Sequence, residues 1–231
     1  MLDYAIVDTG IDPLKNVQRV LEHQKYDSLT ATGYGRYLAQ MHMNCPTITE
    51  IKAYAIGASY FFPNASTVLD MGGQDSKIIR VSRGRVEDFD MNDKCSAGTG
   101  KFLEVMATTL GYTIDEFCST AMQSEIAVSI SSMCTVFAES EVVSLISRGE
   151  DRRSIALGLH LSILNRILAL IGRLGFVEEI VFAGGVAKNH CMVALLEQRL
   201  GVHLLVPKEP QIVGAVGAAL AASKNKKESK A

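Results

Sequence analysis

STVLDMGGQDSKIIR, residues 66–80, is the stretch that determines the architecture of this chain. A β-prone run, a glycine-centred turn and a second β-prone run predict a β-hairpin. Gly72 and Gly73 let the backbone turn tightly and approach a ligand closely. The polar residues around this turn are Asp70, Gln74, Asp75 and Lys77. Considered alone, the stretch is equally compatible with an ordinary hairpin turn and with a loop that faces a ligand.

A second glycine turn follows a buried-type strand predicted over Glu179–Ala183. The strand runs into Gly184 and Gly185, and the next helix begins after Asn189. A turn between a strand and a helix N-terminus suits the phosphates of a nucleotide, although a single Gly-Gly pair is weak support.

The remaining pattern is that of an α/β protein. Apolar residues at helical spacing predict helices over Leu14–His23, Thr49–Tyr60 and Arg153–Leu174. Strands are predicted over Leu2–Asp8 and Val202–Val206, and a further strand by the alternation of Ile126, Val128 and Ile130. Gly214, Gly217 and Ala218 predict a helix start whose small residues allow close packing on a sheet or a ring.

Composition limits the classes of protein that are possible. The chain has 231 residues, 48% of them hydrophobic, and a formal net charge of −2, which gives no general attraction to nucleic acid. No basic-then-apolar signal opens the chain, and we expect no segment with the apolar length of a membrane span. We therefore expect a cytoplasmic protein. No linker is long enough to mark a domain boundary, and the charged tail over 223–231 is predicted to be disordered.

The five cysteines suggest chemistry other than a disulfide framework or a single-chain zinc site, because their number is odd and no close CxxC pair occurs. Cys95 precedes a turn and an apolar helical run, and Cys134 stands directly before TVFAESEVVSLISRG. Both are predicted at helix N-termini, where the dipole favours a thiolate. Two chains related by a two-fold axis would supply the four thiolates of a [4Fe–4S] cluster. From the residues alone, two buried and inert thiols are the favoured alternative.

Four motifs together resemble a known family: LDMGGQDSK (69–77), NDKCSAGTGKFLE (92–104), CTVFAESEV (134–142) and FAGGVAKN (182–189). They are similar to the activators of 2-hydroxyacyl-CoA dehydratases, which are BadF/BadG/BcrA/BcrD-type ATPases related to subunits of benzoyl-CoA reductase. The resemblance extends to about Ala222. It implies an actin/hexokinase/Hsp70-like, ribonuclease H-like α/β fold of two lobes. Residues 1–65 would be the remainder of the first lobe, and residues 66–222 would comprise the phosphate hairpin, the cluster helices and the adenosine-binding lobe.

The resemblance also implies roles for individual residues. The second phosphate loop would comprise Gly72, Gly73, Gln74, Asp75 and Lys77. The adenosine motif would comprise Gly184, Gly185 and Asn189, with Gln211 near the ring. Between nucleotide and cluster would lie Gly98, Thr99 and Gly100. The cluster ligands would be Cys95 and Cys134.

Two of these residues carry a further hypothesis about mechanism. Asp75 is our candidate for the catalytic residue that positions Mg²⁺ or the attacking water. Lys77 would neutralise phosphate charge, and the alternative for it is an exposed lysine on a strand. The implied cofactors are ATP or ADP, Mg²⁺ and one [4Fe–4S] cluster per homodimer.

One departure from the family pattern affects the first lobe. The family opens with a strand, an acidic-Gly-Ser/Thr phosphate loop and a second strand before the segment that resembles LDYAIVDTG (2–10). This sequence starts at that later segment, so we expect the first lobe to lack its first two strands and the first phosphate loop.

The function that the resemblance implies is ATP-dependent electron transfer in anaerobic metabolism. Reduced ferredoxin or flavodoxin would load the cluster of a homodimer. ATP binding and hydrolysis would then reorient the interface helices, and one electron would pass to a 2-hydroxyacyl-CoA dehydratase or a related reductase. The alternatives are a small-molecule kinase of the same superfamily and a truncated, non-catalytic remnant that binds a nucleotide.

Overall fold

The computed structural model describes residues 3–22, 24–131 and 134–228. The helices of this part of the chain are α1 (Pro13–Glu22), α2 (Arg36–Met43), α3 (Glu50–Phe61), α4 (Gly100–Leu110), α5 (Ile114–Ala121), α6 (Thr135–Ser147), α7 (Arg152–Leu174), α8 (His190–Leu200) and α9 (Val213–Glu228). The strands are β1 (Thr67–Met71), β2 (Ser76–Ser82), β3 (Arg85–Asn92) and β4 (Ile180–Ala183). Single 3₁₀ turns occupy Gly185–Lys188 and Pro210–Ile212.

Within these described residues the strands form one sheet in the order β3-β2-β1-β4. The predicted hairpin is confirmed: β1 and β2 are antiparallel, and the pair Met71 and Ser76 closes the turn. β4 runs parallel to β1, with Asp70 opposite Ala183. Because the carboxyl ends of parallel neighbours meet at one edge of a sheet, the two glycine turns that follow these strands lie side by side.

Helices cover both faces of the sheet. On one face α4, α5, α7 and α8 pack with Leu69, Ile78 and Phe182 in the larger apolar cluster. On the other face α3 and α9 contribute to a smaller cluster with Val68 and Ile79. Successive strand residues point to opposite faces, so the apolar runs of β1 and β2 supply both clusters. Packing on both faces of the sheet therefore fixes the position of the hairpin turn between β1 and β2.

Three helix predictions are confirmed, each with small changes at the ends. Thr49 caps α3 by accepting a hydrogen bond from the backbone N–H of Lys52. The first predicted helix is α1, which ends at Glu22; His23 lies outside the described residues. The longest helix, α7, begins one residue earlier than expected and ends before Gly175.

Helix α7 corrects the expectation about membrane-length segments. In the described part of the chain it is the one helix long and apolar enough to cross a membrane by length and composition. Its apolar residues are instead buried in the larger cluster, among them Leu159, Ile163 and Ile167. An apolar stripe at helical spacing is equally typical of a core helix, and that is the position α7 occupies here.

Two strand predictions are wrong, and a third is reduced to one bridge. Residues 3–8 form no strand in the described structure, and Leu2 lies outside the described residues. A strand needs a hydrogen-bonded neighbour, and residues 3–8 pair with no described strand. The alternating residues 126–130 form no strand and lie against α7, where the Val128 N–H donates to the Ser154 carbonyl. Of the predicted strand 202–206, Leu205 alone forms a bridge, to Val181.

The C-terminal helix is longer than the sequence suggested. α9 continues to Glu228, into the segment from residue 223 onward for which we expected disorder, and residues 229–231 lie outside the described part. Close packing is present, but the partner is helix α3 instead of a sheet: a side chain on Gly217 would overlap the Ala53 carbonyl of α3, and one on Gly57 the Val213 carbonyl. Glycine at these positions lets the two helices touch.

Candidate functional site

The site begins where the two glycine turns meet. Gly184 follows β4 with φ +85°, and a Cβ atom there would lie 2.6 Å from Asp70 Oδ1 and would also overlap the Met71 carbonyl. The Gly184 N–H donates to the Pro210 carbonyl. Glycine is therefore required at this position both by backbone conformation and by the approach of β1.

The N-terminus of α4 docks on the hairpin turn. The N–H of Gly100 donates to the Gly72 carbonyl at 2.8 Å, and the N–H of Lys101 donates to the Gly73 carbonyl at 3.0 Å. The Ser76 hydroxyl donates to the Gly98 carbonyl at 2.7 Å. These bonds fix the loop before α4 against the turn between β1 and β2.

A cavity of about 290 Å³ lies between the two turns and α4 and α5. Six of the predicted nucleotide residues line it: Gly72, Gly73, Gly100, Gly185, Asn189 and Gln211. Its wall also contains Leu103, Glu104, Ile114, Asp115, Cys118, Val186 and Lys188. The predicted residues that do not line it are Gln74, Asp75, Lys77, Gly98, Thr99 and Gly184. The volume is at the lower end of the range for small-molecule sites.

The cavity is lined by groups of different chemistry. Its lining includes glycines of both turns and two acidic residues, Glu104 and Asp115. Apolar residues, among them Ile114 and Val186, also line it. Carboxylates repel phosphate and accept hydrogen bonds from hydroxyl groups. The arrangement is therefore suited to a ligand with an anionic end at the glycines and hydroxyl groups at the acids.

Lys188 connects the rim of the cavity to the segment before α9. Its ammonium donates to Gln211 Oε1 at 2.7 Å and pairs with Glu209 at 2.9 Å. The amide of Gln211 lies close to Gly185. Gln211 is thus held beside the second glycine turn.

A buried group of charges lies behind the hairpin turn. Lys77 is only 1% exposed, and its ammonium contacts Asp75 at 2.5 Å, Asp70 at 3.1 Å and Glu50 at 3.4 Å. The Tyr34 hydroxyl donates to Asp75 Oδ2 at 3.2 Å. Lys77 is therefore not the exposed strand lysine of the alternative, and it neutralises carboxylates inside the protein.

The pKa values in this group reflect burial and pairing. Burial raises the pKa of Asp70 to about 6, although the nearby ammonium of Lys77 opposes the shift. Burial lowers the pKa of Lys77, but Asp70 and the other carboxylates more than offset this, so its pKa is raised overall. Lys77 stays charged throughout the physiological range.

Asp75 and Mg²⁺ fit this geometry only in part. Both carboxylate oxygens of Asp75 are engaged, one by Lys77 and one by Tyr34. Asp70 Oδ1 is buried and has no hydrogen-bond partner among the described residues. No group of three or more acidic, histidine or cysteine side chains in the described segments is arranged to hold a metal ion. Of the four carboxylate oxygens of Asp70 and Asp75, Asp70 Oδ1 alone has no partner in the described residues, so the residues as arranged do not form a metal site.

The two predicted cluster cysteines are exposed and close to each other. The hydroxyl groups of their next residues, Ser96 and Thr135, lie 2.9 Å apart. Cys134 is the N-cap of α6, as predicted. Cys95 is not at a helix start, because Thr99 is the N-cap of α4 and residues 95–99 form a turn with Gly98 at φ +99°. Two exposed thiols on one surface fit half of a four-thiolate site.

The other three cysteines are buried, and the sequence left them without a role. Cys118 nevertheless lines the cavity, and its sulfur accepts a hydrogen bond from the Cys191 backbone N–H at 3.3 Å. Burial raises the pKa of Cys191 to about 12. The Cys191 thiol is therefore held neutral. The contact between Cys118 and Cys191 packs α5 against α8.

Sequence reasoning missed several wall residues. Leu103 and Glu104 lie inside the quoted motif 92–104, and they could have been found by extending the assigned residues Gly98–Gly100 by one helical turn into α4. Lys188 stands within the second glycine motif. Ile114, Asp115 and Cys118 lie on α5, for which the sequence contains no nucleotide signal. Only the packing of α5 against α4 and α7 brings them to the cavity.

Comparison with known sequences gives a consistent result. The profile of the BadF/BadG/BcrA/BcrD ATPase family matches residues 13–222. The (R)-2-hydroxyglutaryl-CoA dehydratase activating ATPase of Acidaminococcus fermentans is 43% identical over 224 residues, 94% of this chain and 86% of that protein. The activator of lactoyl-CoA dehydratase of Anaerotignum propionicum is 44% identical, covering 87% and 77%. One of the subunits of benzoyl-CoA reductase of Thauera aromatica is 33% identical, covering 87% and 72%.

Solved structures show the same similarity. The crystal structure of the Acidaminococcus fermentans dehydratase component A superposes with a TM-score of 0.86 at 42% identity, covering 96% of this chain and 86% of that one. The activator of the 2-hydroxyisocaproyl-CoA dehydratase from Clostridium difficile with bound ADPNP gives 0.85 at 38%, covering 96% and 84%. MreB5 of Spiroplasma citri bound to ADP gives 0.57 at 14%, covering 95% and 76%, a likeness of fold alone.

Proposed function

Because this chain belongs to the BadF/BadG/BcrA/BcrD ATPase family, we propose that it is an ATP-dependent, iron–sulfur-containing activator of a 2-hydroxyacyl-CoA dehydratase or a related reductase. The observation that carries the proposal is the loop over residues 95–100. One end of this loop docks on the glycine turn that lines the cavity, and the other end brings Cys95 beside Cys134. A nucleotide and an electron-transfer group would thus share one short segment.

The nucleotide would lie with its phosphates at the glycine turns and its ribose at the acids. Gly72, Gly73 and Gly185 leave room for phosphate oxygens close to the backbone. Glu104 and Asp115 would accept hydrogen bonds from the ribose hydroxyls. Gln211, held by Lys188, would lie near the ring or the ribose. ADPNP in the Clostridium difficile activator supports a nucleotide in this family.

Cys95 and Cys134 would each contribute one thiolate to a [4Fe–4S] cluster shared with a second copy of the chain. Such a cluster supplies one-electron redox chemistry when four thiolates hold it. Cys134 begins α6, so the dipole of this helix would favour the thiolate. The exposure of both thiols supports ligation from outside the chain.

The surface around Cys134 supports a homodimer. On α6 the side chains of Val136 and Phe137 are 67% and 68% exposed, and Val143 is 52% exposed. An apolar patch of this kind next to the thiols would be covered by a second copy. The two-fold symmetric arrangement would also bring two more thiols to the same place.

Coupling would follow from the differential affinity of the nucleotide for two arrangements of the interface. ATP and ADP would bind the turn at Gly72 differently, and the loop 95–100 would transmit that difference to α6. Asp75 remains our candidate for orienting the attacking water, with Mg²⁺ bound through the nucleotide. We propose ferredoxin or flavodoxin as the electron donor and a cytoplasmic location. The dehydratase or reductase partner is inferred from the names of the relatives.

The decisive experiment is iron and acid-labile sulfide analysis together with molecular mass, on protein purified without oxygen. We expect about two irons and two sulfides per chain in a dimer. Cys95→Ala and Cys134→Ala should lose the iron, whereas Cys45→Ala, at a buried cysteine elsewhere, should keep it.

Other outcomes separate the alternatives. A colourless, iron-free protein that binds ATP and phosphorylates a small molecule would establish the kinase and remove the electron-transfer proposal. A protein that binds a nucleotide without hydrolysing it and carries no iron would establish the non-catalytic remnant.

A further inference from the structure

A completely buried histidine lies behind the wall of the nucleotide cavity. His160 is on α7, has no exposed surface and packs its ring on Phe117 of α5 with 4.5 Å between ring centroids. None of the sequence motifs includes it. A buried imidazole keeps hydrogen-bond partners for both nitrogens, and those partners indicate its role.

The partners of His160 fix its tautomer. Nδ1 lies 2.8 Å from the Ala156 carbonyl oxygen, which only accepts hydrogen bonds, so Nδ1 carries the proton. Nε2 lies 3.1 Å from the side-chain nitrogen of Asn189, which only donates. In the neutral ring Nε2 is therefore an acceptor. A second proton on the ring would place two donors against each other.

The hydrogen bond to His160 also fixes the orientation of the Asn189 side-chain amide. Its Nδ2 donates to His160, and its Oδ1 accepts the Met192 N–H at 3.0 Å, which caps α8. The backbone N–H of Asn189 donates to the Val186 carbonyl, which closes the 3₁₀ turn. The amide of Asn189 thus joins α7, the glycine turn and the first turn of α8, and Asn189 itself lines the cavity.

We propose that His160 is a positioning residue for nucleotide binding: its neutral ring holds the Asn189 amide and thereby the shape of the Gly184–Asn189 turn. The inference rests on the proposed nucleotide-binding function. His160 touches no ligand and acts through Asn189. Without the acceptor at Nε2, a buried N–H of Asn189 loses its partner, and the turn is free to shift away from the nucleotide.

The experiment is titration of ADP into the full chain by calorimetry. His160→Leu fills the site without an acceptor and should weaken ADP binding roughly tenfold, as loss of a partner for a buried donor implies. His160→Gln can place an amide oxygen near Nε2 and should restore the affinity to within about twofold. Ile163→Val, a mild truncation in the same helix, should lower thermal stability without changing ADP affinity.

A double-mutant cycle separates positioning from general damage. In an Asn189→Ala background, His160→Leu should have no further effect on ADP affinity, because the two residues act as one unit. Nitrogen-15 spectra of the His160 ring should show a protonated Nδ1 and an unprotonated Nε2 whose resonance moves in Asn189→Ala.

Each contrary result has its own meaning. Unchanged ADP affinity in His160→Leu, or a protonated Nε2 in the wild type, would overturn the role of His160 and leave the proposed function intact. A wild-type protein that binds no ADP would overturn the proposed function and this inference with it.

Discussion

At the scale of single residues, the stability of the protein depends on how the buried charges around Lys77 are paired. One ammonium faces Asp70, Asp75 and Glu50 where water has little access. Buried charges are stable only when they are paired, and the loss of one partner leaves the others uncompensated. The hairpin turn that lines the cavity therefore depends on a residue that does not itself line it.

We expect Lys77→Met to destabilise the protein by about 3–5 kcal/mol, because it leaves buried carboxylates without a counter-charge. The free energy of unfolding in urea measures this. Lys101→Met is the matched control, since the Lys101–Glu104 pair is exposed and should change stability by less than about 0.5 kcal/mol. A loss below about 1 kcal/mol for Lys77→Met would contradict the importance of the network.

His160 predicts a pH dependence of stability. Burial lowers its pKa from 6.5 to about 4, so the unfolded chain binds more protons than the folded protein between these values. Stability should therefore fall as the pH is lowered from about 6.5 to about 4. Relative to His160→Gln, the wild type should lose roughly 3 kcal/mol more over this window.

Comparison with His160→Gln is essential because Asp70 has the opposite effect on the pH dependence of stability. Its raised pKa makes the folded protein bind more protons between 3.8 and about 6, so this group stabilises on acidification. Asp70 is present in both proteins and cancels in the difference. Parallel pH profiles for wild type and variant would show that His160 is not held neutral in the folded state.

At the scale of elements, glycine is required for different reasons in the two glycine turns, although the sequences of the turns are similar. Gly184 has a positive φ and no room for a side chain, because β1 approaches it. Gly73 lines the cavity, and a methyl group there would meet no atom of the described protein within 4 Å. One glycine serves the fold, and the other keeps space open for a ligand.

Substitution of each glycine by alanine should distinguish the requirement of the fold from that of ligand binding. Gly184→Ala should cost stability, roughly 2 kcal/mol or more in urea unfolding, because the added carbon meets backbone at a strained φ. Gly73→Ala should leave unfolding almost unchanged and weaken ADP binding, because its methyl group enters the cavity. Weaker ADP binding with normal folding in Gly184→Ala would reverse this assignment.

Helix α6 should determine the association of two chains. Phe137→Glu places a charge in the exposed apolar patch beside Cys134, and we expect it to shift the protein from dimer to monomer in sedimentation experiments. Phe89→Glu, at another exposed phenylalanine on the edge strand β3, should leave the mass unchanged. A Phe137→Glu protein that remains a dimer would place the interface elsewhere.

At the scale of the whole molecule, the fold is that of the actin/hexokinase/Hsp70-like ATPases, as predicted, and the family assignment is confirmed. The cavity joins parts of the chain more than 130 residues apart, from Gly72 to Gln211. A ligand that filled this cavity would contact the hairpin, α4, α5 and the turn after β4 together, and it would bind only the folded state.

Saturating ADP should therefore raise the unfolding midpoint. At a concentration 100 times the dissociation constant the expected stabilisation is about 2.7 kcal/mol. Thermal unfolding with and without ADP measures it, and guanosine or inorganic phosphate at the same concentration provides the comparison for partial ligands. An unchanged midpoint would mean that ADP does not bind the native cavity.

The sequence alone determined the parts of this protein that depend on neighbours in the chain. The hairpin of residues 66–80, the cap at Thr49 and helix α7 follow from turn chemistry, capping and apolar spacing, which act over a few residues. The glycine and cysteine motifs could also be identified from the sequence, because backbone turns and reactive side chains occur in recognisable short patterns.

Tertiary structure decided what depends on distant partners. The segment 126–130 alternates like a strand, yet it runs over α7 because no other strand of the described structure pairs with it. Lys77 was predicted to be a phosphate-binding or an exposed lysine, yet three carboxylates, from β1, the turn after it and α3, surround its ammonium. His160 and Asn189 are 29 residues apart, and only the packing of α7 on α8 makes them a pair. Such contacts are set by which faces meet in the core, and local sequence pattern does not specify that.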